Sequence, residues 1–212
     1  MTGVQTCALP IWRYEGSVSG LDYDGANRLV VAAADGKVRL YGADMKQLAS
    51  GELANRSRPF GIAISADGKR IAVGDRLRPI VHLLDGTTLR QARTLESSGQ
   101  GQQGALYQVA FGPDGSIFAA GSFRGADGAR VVRAWYPDGK PRFDTKVATD
   151  TITALLPAAD GVIFATGEPA IGRIDSAGRV VSQRRSRHME LRDAGDTQFR
   201  ITYNGTGIEL PA

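Results

Sequence analysis

One turn recurs along the whole chain. A residue followed by Asp or Asn and then Gly occurs as Tyr23-Asp24-Gly25, Ala66-Asp67-Gly68, Pro113-Asp114-Gly115, Ala159-Asp160-Gly161 and Tyr203-Asn204-Gly205, with the glycines 43, 47, 46 and 44 residues apart. A fixed period of this length restricts the chain to a repeat architecture. The surroundings repeat as well. Alternating apolar segments precede the turns, such as Val18, Leu21 and Tyr23, or Phe60, Ile62 and Ile64, or Tyr107, Val109 and Phe111. Runs of β-branched and small residues follow at 29–34, 70–74, 116–121 and 162–167. Period-two apolar segments joined by Asp-Gly or Asn-Gly predict hairpins, because Gly and Asn accept the positive φ of a tight turn. A helical solenoid of similar period needs amphipathic helices, and no such pattern is present.

Each unit continues with a third apolar run (37–41, 80–84, 131–135, 170–174), a second turn and a more polar fourth run. Polarity suits an outer edge strand, where charge discourages edge-to-edge pairing. Alanines such as Ala32, Ala72 and Ala119 suit the crowded inner part of a blade, where neighbouring sheets converge. The predicted fold class is all-β: a β-propeller of about four four-stranded blades plus the start of a fifth, forming an incomplete ring. The blades are expected at 17–53, 58–97, 105–146 and 151–187, with the fifth entered at 197–212. Propellers close with about four to eight blades, and an unclosed array leaves faces bare at its two ends. Those faces are expected to meet the remaining blades of a longer parent chain.

Composition narrows the function classes. Over 212 residues, 42% hydrophobic and 23% charged content is ordinary for a folded domain. A net charge of +4 is too mild to point to nucleic acid, and no apolar run is long enough to span a membrane. Residues 2–11 resemble a translated sequencing adapter, so residues 1–11 are set apart as non-native and 12–212 are read as a partial propeller. Cys7, the sole cysteine, falls inside that segment and carries no functional weight.

The units resemble WD repeats. Leu29 to Leu48, LVVAAADGKVRLYGADMKQL, follows that family's pattern from second to fourth strand. The Trp-Asp positions are degenerate, holding Tyr41-Gly42, Leu84-Asp85, Trp135-Tyr136 and Ile174-Asp175, and the Gly-His pair that opens many repeats is absent. The hydrogen-bond network built on that His and the strand-turn Asp is therefore not expected. A closer resemblance is to the repeat region of bacterial caspase-family proteins, carried by Arg58-Pro59-Phe60-Gly61-Ile62-Ala63, Tyr107-Gln108-Val109-Ala110-Phe111, Val132-Arg133-Ala134-Trp135 and Glu168-Pro169-Ala170-Ile171-Gly172. It implies a parent protein, exported in some relatives, with a peptidase domain beside the propeller. A caspase-type site needs a Cys activated by a His, so proteolysis is not transferred to this chain.

The candidate residues are mainly structural. Asp24, Gly25, Asp67, Gly68, Asp114, Gly115, Asp160, Gly161, Asn204 and Gly205 are assigned to the repeated turn. A calcium role for these aspartates is set aside, since six or more converging oxygens are needed. His82 reads as a structural histidine within Ile80–Leu84. His188, beside Arg184, Arg185 and Arg187, reads as part of a solvated basic strand. The glycine-rich run 99–104 lacks the Gly-Lys-Ser/Thr ending of a phosphate loop and reads as an inter-blade loop. Arg124, Asp127 and Arg130 mark an extended hairpin loop inside the third unit, the candidate interaction loop. Asn55-Arg56-Ser57 and Asn204-Gly205-Thr206 match the short glycosylation pattern.

No catalytic, cofactor or metal residues are assigned. The expected function is a non-catalytic interaction or sensing scaffold for a protein or peptide. The alternative is a fragment of an enzymatic propeller of lactonase or quinoprotein type, in which polar groups gather at the channel. The channel positions, read as Ser17, Arg58, Leu106 and Thr151, form a poor set for that chemistry.

Overall fold

The structure, a computed structural model, describes residues 14–97 and 103–185 together with the backbone of three later strands. Four four-stranded antiparallel sheets follow one another along the chain. The first contains β1 (Val18–Tyr23), β2 (Leu29–Ala33), β3 (Lys37–Tyr41) and β4 (Gln47–Glu52). The second contains β5 (Pro59–Ile64), β6 (Arg70–Asp75), β7 (Ile80–Asp85) and β8 (Gln91–Glu96). The third contains β9 (Leu106–Phe111), β10 (Ile117–Gly121), β11 (Arg130–Trp135) and β12 (Pro141–Ala148). The fourth contains β13 (Ile152–Ala158), β14 (Gly161–Thr166), β15 (Ala170–Asp175) and β16 (Val180–Arg185). Each is a meander whose strands pair in chain order. A three-stranded sheet follows, formed by β17 (Glu190–Asp193), β18 (Phe199–Tyr203) and β19 (Thr206–Glu209).

The repeat extends to irregularities. The pairing of each first strand with its second shifts register near the start of the first strand. The pairing of each third strand with its fourth shifts near the end of the third. A bulge increases local twist, so the same two shifts give the four sheets a common shape. The fold is an all-β, blade-type, propeller-like stack of sheets.

Each sheet has a leading face toward the preceding sheet and a trailing face toward the next. Val30, Ala32, Val38 and Leu40 on the trailing face of the first sheet pack with Ile62, Ile64, Ile71 and Val73 on the leading face of the second. Ala63, Ala72, Val81 and Leu83 meet Val109, Ile117, Phe123 and Trp135 in the same way. Phe118, Ala120, Val132 and Ala134 then meet Ile152, Val162, Phe164 and Ile174. Strand alternation sends successive side chains to opposite faces, so one apolar run serves two cores. The second and third strands are therefore mainly apolar, and the fourth strands are polar at the rim.

Inner strands touch. A Cβ on Gly61 would fall far inside contact distance of the Tyr107 carbonyl oxygen, and one on Gly20 would do the same to the Phe60 carbonyl oxygen. The missing side chains let β1 approach β5, and β5 approach β9, backbone to backbone. Ser19 Oγ donates to the Pro59 carbonyl at 2.9 Å, and Gln108 Nε2 to the Thr153 carbonyl at 2.8 Å.

Arginines fasten the rims. Arg28, just before β2, donates to the Gly68 and Gly86 carbonyls at 2.7 and 3.0 Å, reaching both turns of the second sheet. Arg70, at the same place in the second sheet, donates to the Gly115 and Pro137 carbonyls of the third at 3.0 and 3.1 Å. The third sheet carries Ser116 at this place. Its link to the fourth runs instead through Thr145 Oγ1, donating to the Gly178 carbonyl at 2.7 Å.

Two turns differ from the sequence reading. Positive φ falls on Gly68 and Gly115 as the hairpin rule predicts, but in the first unit it falls on Asn27 at 58°. That turn is longer, closed by the Asn27 N–H donating to the Asp24 carbonyl at 2.9 Å. Gly161 does not adopt positive φ; it pairs with Ala158 across a two-residue turn, and a Cβ there would strike the Ile174 carbonyl. Asn204 and Gly205 lie outside the described residues, between the paired Tyr203 and Thr206. Residues 1–11 with Cys7, most of the 99–104 run, and His188 with Arg187 also lie outside them.

Replacing Gly by Ala in a compatible site stabilises through the unfolded chain by about 0.4–1 kcal/mol. Gly61→Ala is expected to do the reverse, costing about 2–3 kcal/mol by overpacking, measured as a lower urea midpoint. Arg70→Met, which keeps the apolar stem and removes the two clamping bonds, is expected to cost about 1–2 kcal/mol, with an unchanged denaturant slope if the sheets still unfold together.

Candidate functional site: the groove along the inner strands

The four first strands line one cavity of about 670 Å³. Its walls come from Leu21 and Tyr23 on β1, Phe60 and Ile62 on β5, Val109 and Phe111 on β9, and Leu155 and Leu156 on β13. The repeated turn closes one end, through Asp24, Gly25, Ala66, Pro113 and Pro157. The lining is mainly apolar. Ser17, Arg58, Leu106 and Thr151 do not line it: Leu106 is buried, and the polar lining begins further along the strands with Ser19, Asp22 and Gln108. Those four residues stand at the starts of the first strands, and the cavity lies further along the same strands.

Asp22 sits at the joint between β1 and β5. Its carboxylate accepts the Ile64 N–H of the neighbouring strand and the Tyr23 N–H, each at 2.9 Å. Burial pushes its pKa up, the two N–H groups partly offset this, and the Asp24 charge adds to the rise. Asp22 thus bridges two sheets while bearing a charge that its surroundings disfavour. Asp24 behaves oppositely. Burial alone would raise it, but the Arg28 backbone and side chain more than compensate and hold it below the ordinary carboxylate value. Asp24 accepts Arg28 Nε at 2.8 Å and so aims the clamp.

A second polar constellation lies between the blade rim and the second sheet. His82 is buried on the leading face. Its Nε2 lies 2.8 Å from Ser57 Oγ and its Nδ1 lies 3.2 Å from Gln91 Oε1. Arg78 Nη2 donates to Ser57 Oγ at 2.5 Å and to Asp75 at 2.9 Å, and Gln91 Nε2 donates to Thr94 Oγ1 at 2.9 Å. Ser57 Oγ donates its single hydrogen to the Ala54 carbonyl at 2.8 Å, so toward Arg78 and His82 Nε2 it is the acceptor. This is a different network from the one built on an opening Gly-His pair. The histidine comes from the third strand instead of an opening Gly-His pair, while the strand-turn carboxylate, Asp75, takes part through Arg78.

Ser57 and His82 are within reach of each other, but both are buried and the outer partner of His82 is an amide. A nucleophilic triad needs an accessible hydroxyl and a carboxylate behind the base. The constellation is a latch tying the segment before β5 to β7 and β8. Burial pushes the His82 pKa below its ordinary value, Asp75 and Gln91 pull it back in part, and Arg78 lowers it further.

The candidate loop of the third unit is a short, anchored hairpin. The Gly125 N–H donates to the Ala129 carbonyl at 2.9 Å, and Asp127 pairs with Lys146 at 2.5 Å. Arg124 and Asp127 are exposed. Arg130 is not part of the exposed loop: it is the first residue of β11, buried, with its guanidinium donating to the Ser122 carbonyl. The charged tip turns inward there because the strand begins one residue before the apolar run Val131-Val132. Asp67 accepts from Ser65 Oγ at 2.7 Å and Lys69 N–H at 3.1 Å. Asp114 pairs with Arg142 at 2.8 Å, and Asp160 lies 3.6 Å from Arg173. Among the described residues no group of three His, Cys, Asp or Glu is placed to hold a metal ion. No helix among them is long and apolar enough to cross a membrane.

Comparison with family models and with curated proteins gives no match.

The arginine clamps and the Ser57–His82 latch were not singled out from sequence. Arg28 and Arg70 had a visible signal, since each closely follows an Asp-Gly turn, as Asp-Gly-Ala-Asn-Arg and Asp-Gly-Lys-Arg. The latch had none, because its partners are spread over residues 57–94.

A histidine held neutral in the fold makes the unfolded chain bind more protons just below its ordinary pKa of 6.5. Stability then falls as pH drops from about 6.5 toward the lower folded value. The advantage of the wild type over His82→Gln is expected to shrink between about pH 8 and about pH 5.5, read from urea midpoints at each pH.

Proposed function

We propose that the chain is a non-catalytic interaction module whose inner-strand groove receives an extended apolar segment of a protein or peptide. The observation that carries this is the cavity of about 670 Å³, walled by side chains from all four first strands. Its size lies within the range of ligand pockets, about 300–1,000 Å³, and its lining suits apolar side chains more than charged ones. The walls are rigid, because the glycine contacts and the arginine clamps fix neighbouring sheets. Ser19, Asp22 and Gln108 are already engaged in holding strands together, so the groove offers shape and apolar surface instead of acid–base groups. The resemblance to caspase-family repeat regions supports placing this module beside a peptidase domain in a parent protein, where the groove serves recognition.

The test is peptide display against the wild-type chain, with Ala66→Arg and Pro157→Arg as controls. Both residues are exposed at the groove's turn end. Enriched peptides are expected to be apolar and to lose at least about tenfold in affinity against either variant. Peptides that bind both variants as well as the wild type would sink the proposal. Matching thermal unfolding curves establish that the variants are folded.

A further inference from the structure

Arg130 has one edge of its guanidinium left over. The residue is 9% exposed, and its Nη1 donates to the Ser122 carbonyl. Its Nε is buried and bonds to nothing among the described residues, and its Nη2 has no partner there either. Nε and Nη2 form the side-on fork that takes a carboxylate through two parallel bonds. The same fork is filled on the neighbouring arginine of the strand: Arg133 holds the two Asp144 oxygens through Nε and Nη2. Arg124, which is exposed, stands opposite Arg130 across an antiparallel bridge. Like charges so placed destabilise each other. Among the described residues neither arginine enters an ion pair. Burial and the Arg124 charge push the Arg130 pKa below its ordinary value, and Asp150 and Tyr107 offset this in part.

The arginine pair adjoins the groove. The Tyr107 ring lies against Gly121, next to the Ser122 that holds Arg130. Tyr107 meets Phe60 edge to face with ring centroids 5.4 Å apart, and Phe60 lines the groove. Tyr107 also precedes Gln108, where the lining of β9 begins. Two aromatic rings thus join the apolar groove to the unfilled guanidinium edge. We infer that Arg124 and Arg130 form a carboxylate-binding site, which takes the carboxylate of the peptide whose apolar side chains fill the groove. The identity of the ligand rests on the groove reading proposed above; the site itself does not. Charge selects the ligand class. Arg124 and Arg130 exceed the nearby Asp150 by a single positive charge, which matches a carboxylate better than a phosphate carrying about two negative charges. The planar guanidinium fork also matches a planar carboxylate. Filling it removes the cost of a buried N–H without an acceptor.

Titration of the isotope-labelled full chain with sodium acetate, followed by NMR at the arginine Nε–H resonances, tests the site. Acetate is expected to shift the Arg130 Nε–H signal to saturation, while sodium chloride at equal ionic strength leaves it in place. Arg124→Gln, at an exposed position, is expected to weaken acetate binding by at least about threefold, with an unchanged thermal unfolding curve. An equal response to chloride, or no response to acetate, overturns the inference. So does an acetate affinity that Arg124→Gln and Arg130→Lys both leave unchanged. A peptide arm compares N-acetyl-leucyl-valyl-leucine as the free acid and as the amide. The acid is expected to bind at least about fivefold more tightly, and Arg130→Lys is expected to erase the difference. N-acetyl-leucyl-valyl-glutamyl amide, whose only carboxylate is a side chain, binds like the acid if a side chain can supply the group and like the amide if only a chain terminus can. Equal binding of acid and amide overturns the inference and leaves the groove proposal standing. Acetate binding by a chain that enriches no peptide in display sinks the groove proposal and leaves the carboxylate site. The groove variants Ala66→Arg and Pro157→Arg are expected to lower peptide affinity and leave the acetate titration unchanged.

Discussion

Backbone contact between successive first strands is the constraint on which the rest of the structure depends. Gly20 and Gly61 have no side chain because the carbonyl groups of Phe60 and Tyr107 occupy that space. This approach brings the trailing face of one sheet into the leading face of the next, so that most apolar residues of the second and third strands find a core. It also sets the width of the groove, whose walls are the same strands. The bulge at the start of each first strand follows from the same demand, since it turns the strand toward its neighbour and adds twist where the sheets converge.

The rim solves a different problem. Sheets that touch near the axis diverge outward, and the turns there present carbonyl groups with no strand partner. Arg28 and Arg70 fill this gap with planar guanidinium groups that reach two carbonyls at once, which a lysine ammonium does less well. Asp24 orients the first of these by accepting Arg28 Nε. The Ser57–His82 latch performs a similar service on the second sheet, linking the segment before β5 to the outer strands. These devices differ from junction to junction: the third has Ser116 at the clamp position and is joined through Thr145, Gln108 and Gln183.

Much of the fold was legible in sequence. Strand limits, sheet order and the polar outer strands follow from period-two alternation and Asp-Gly turns, both local properties of a few adjacent residues. The turn aspartates were legible for the same reason, although the residue carrying positive φ in the first turn is Asn27 instead of Gly25. The site was less legible. The cavity lies further along the first strands than the strand starts read as channel positions, and Arg130 was placed in an exposed loop although its strand begins there and buries it. The latch could not be read at all, since Ser57, His82 and Gln91 come from three segments with no common spacing.

The sequence by itself determined an all-β chain of repeating four-stranded units, because hairpin turns and alternation are encoded within each unit. Tertiary structure decided how the units meet: which glycines are empty for a neighbour's carbonyl, which arginines reach across, and where Asp22 bridges two strands. Those features depend on distances between residues about forty positions apart in sequence, and pairwise contact across a repeat leaves no local pattern for a single sequence to display.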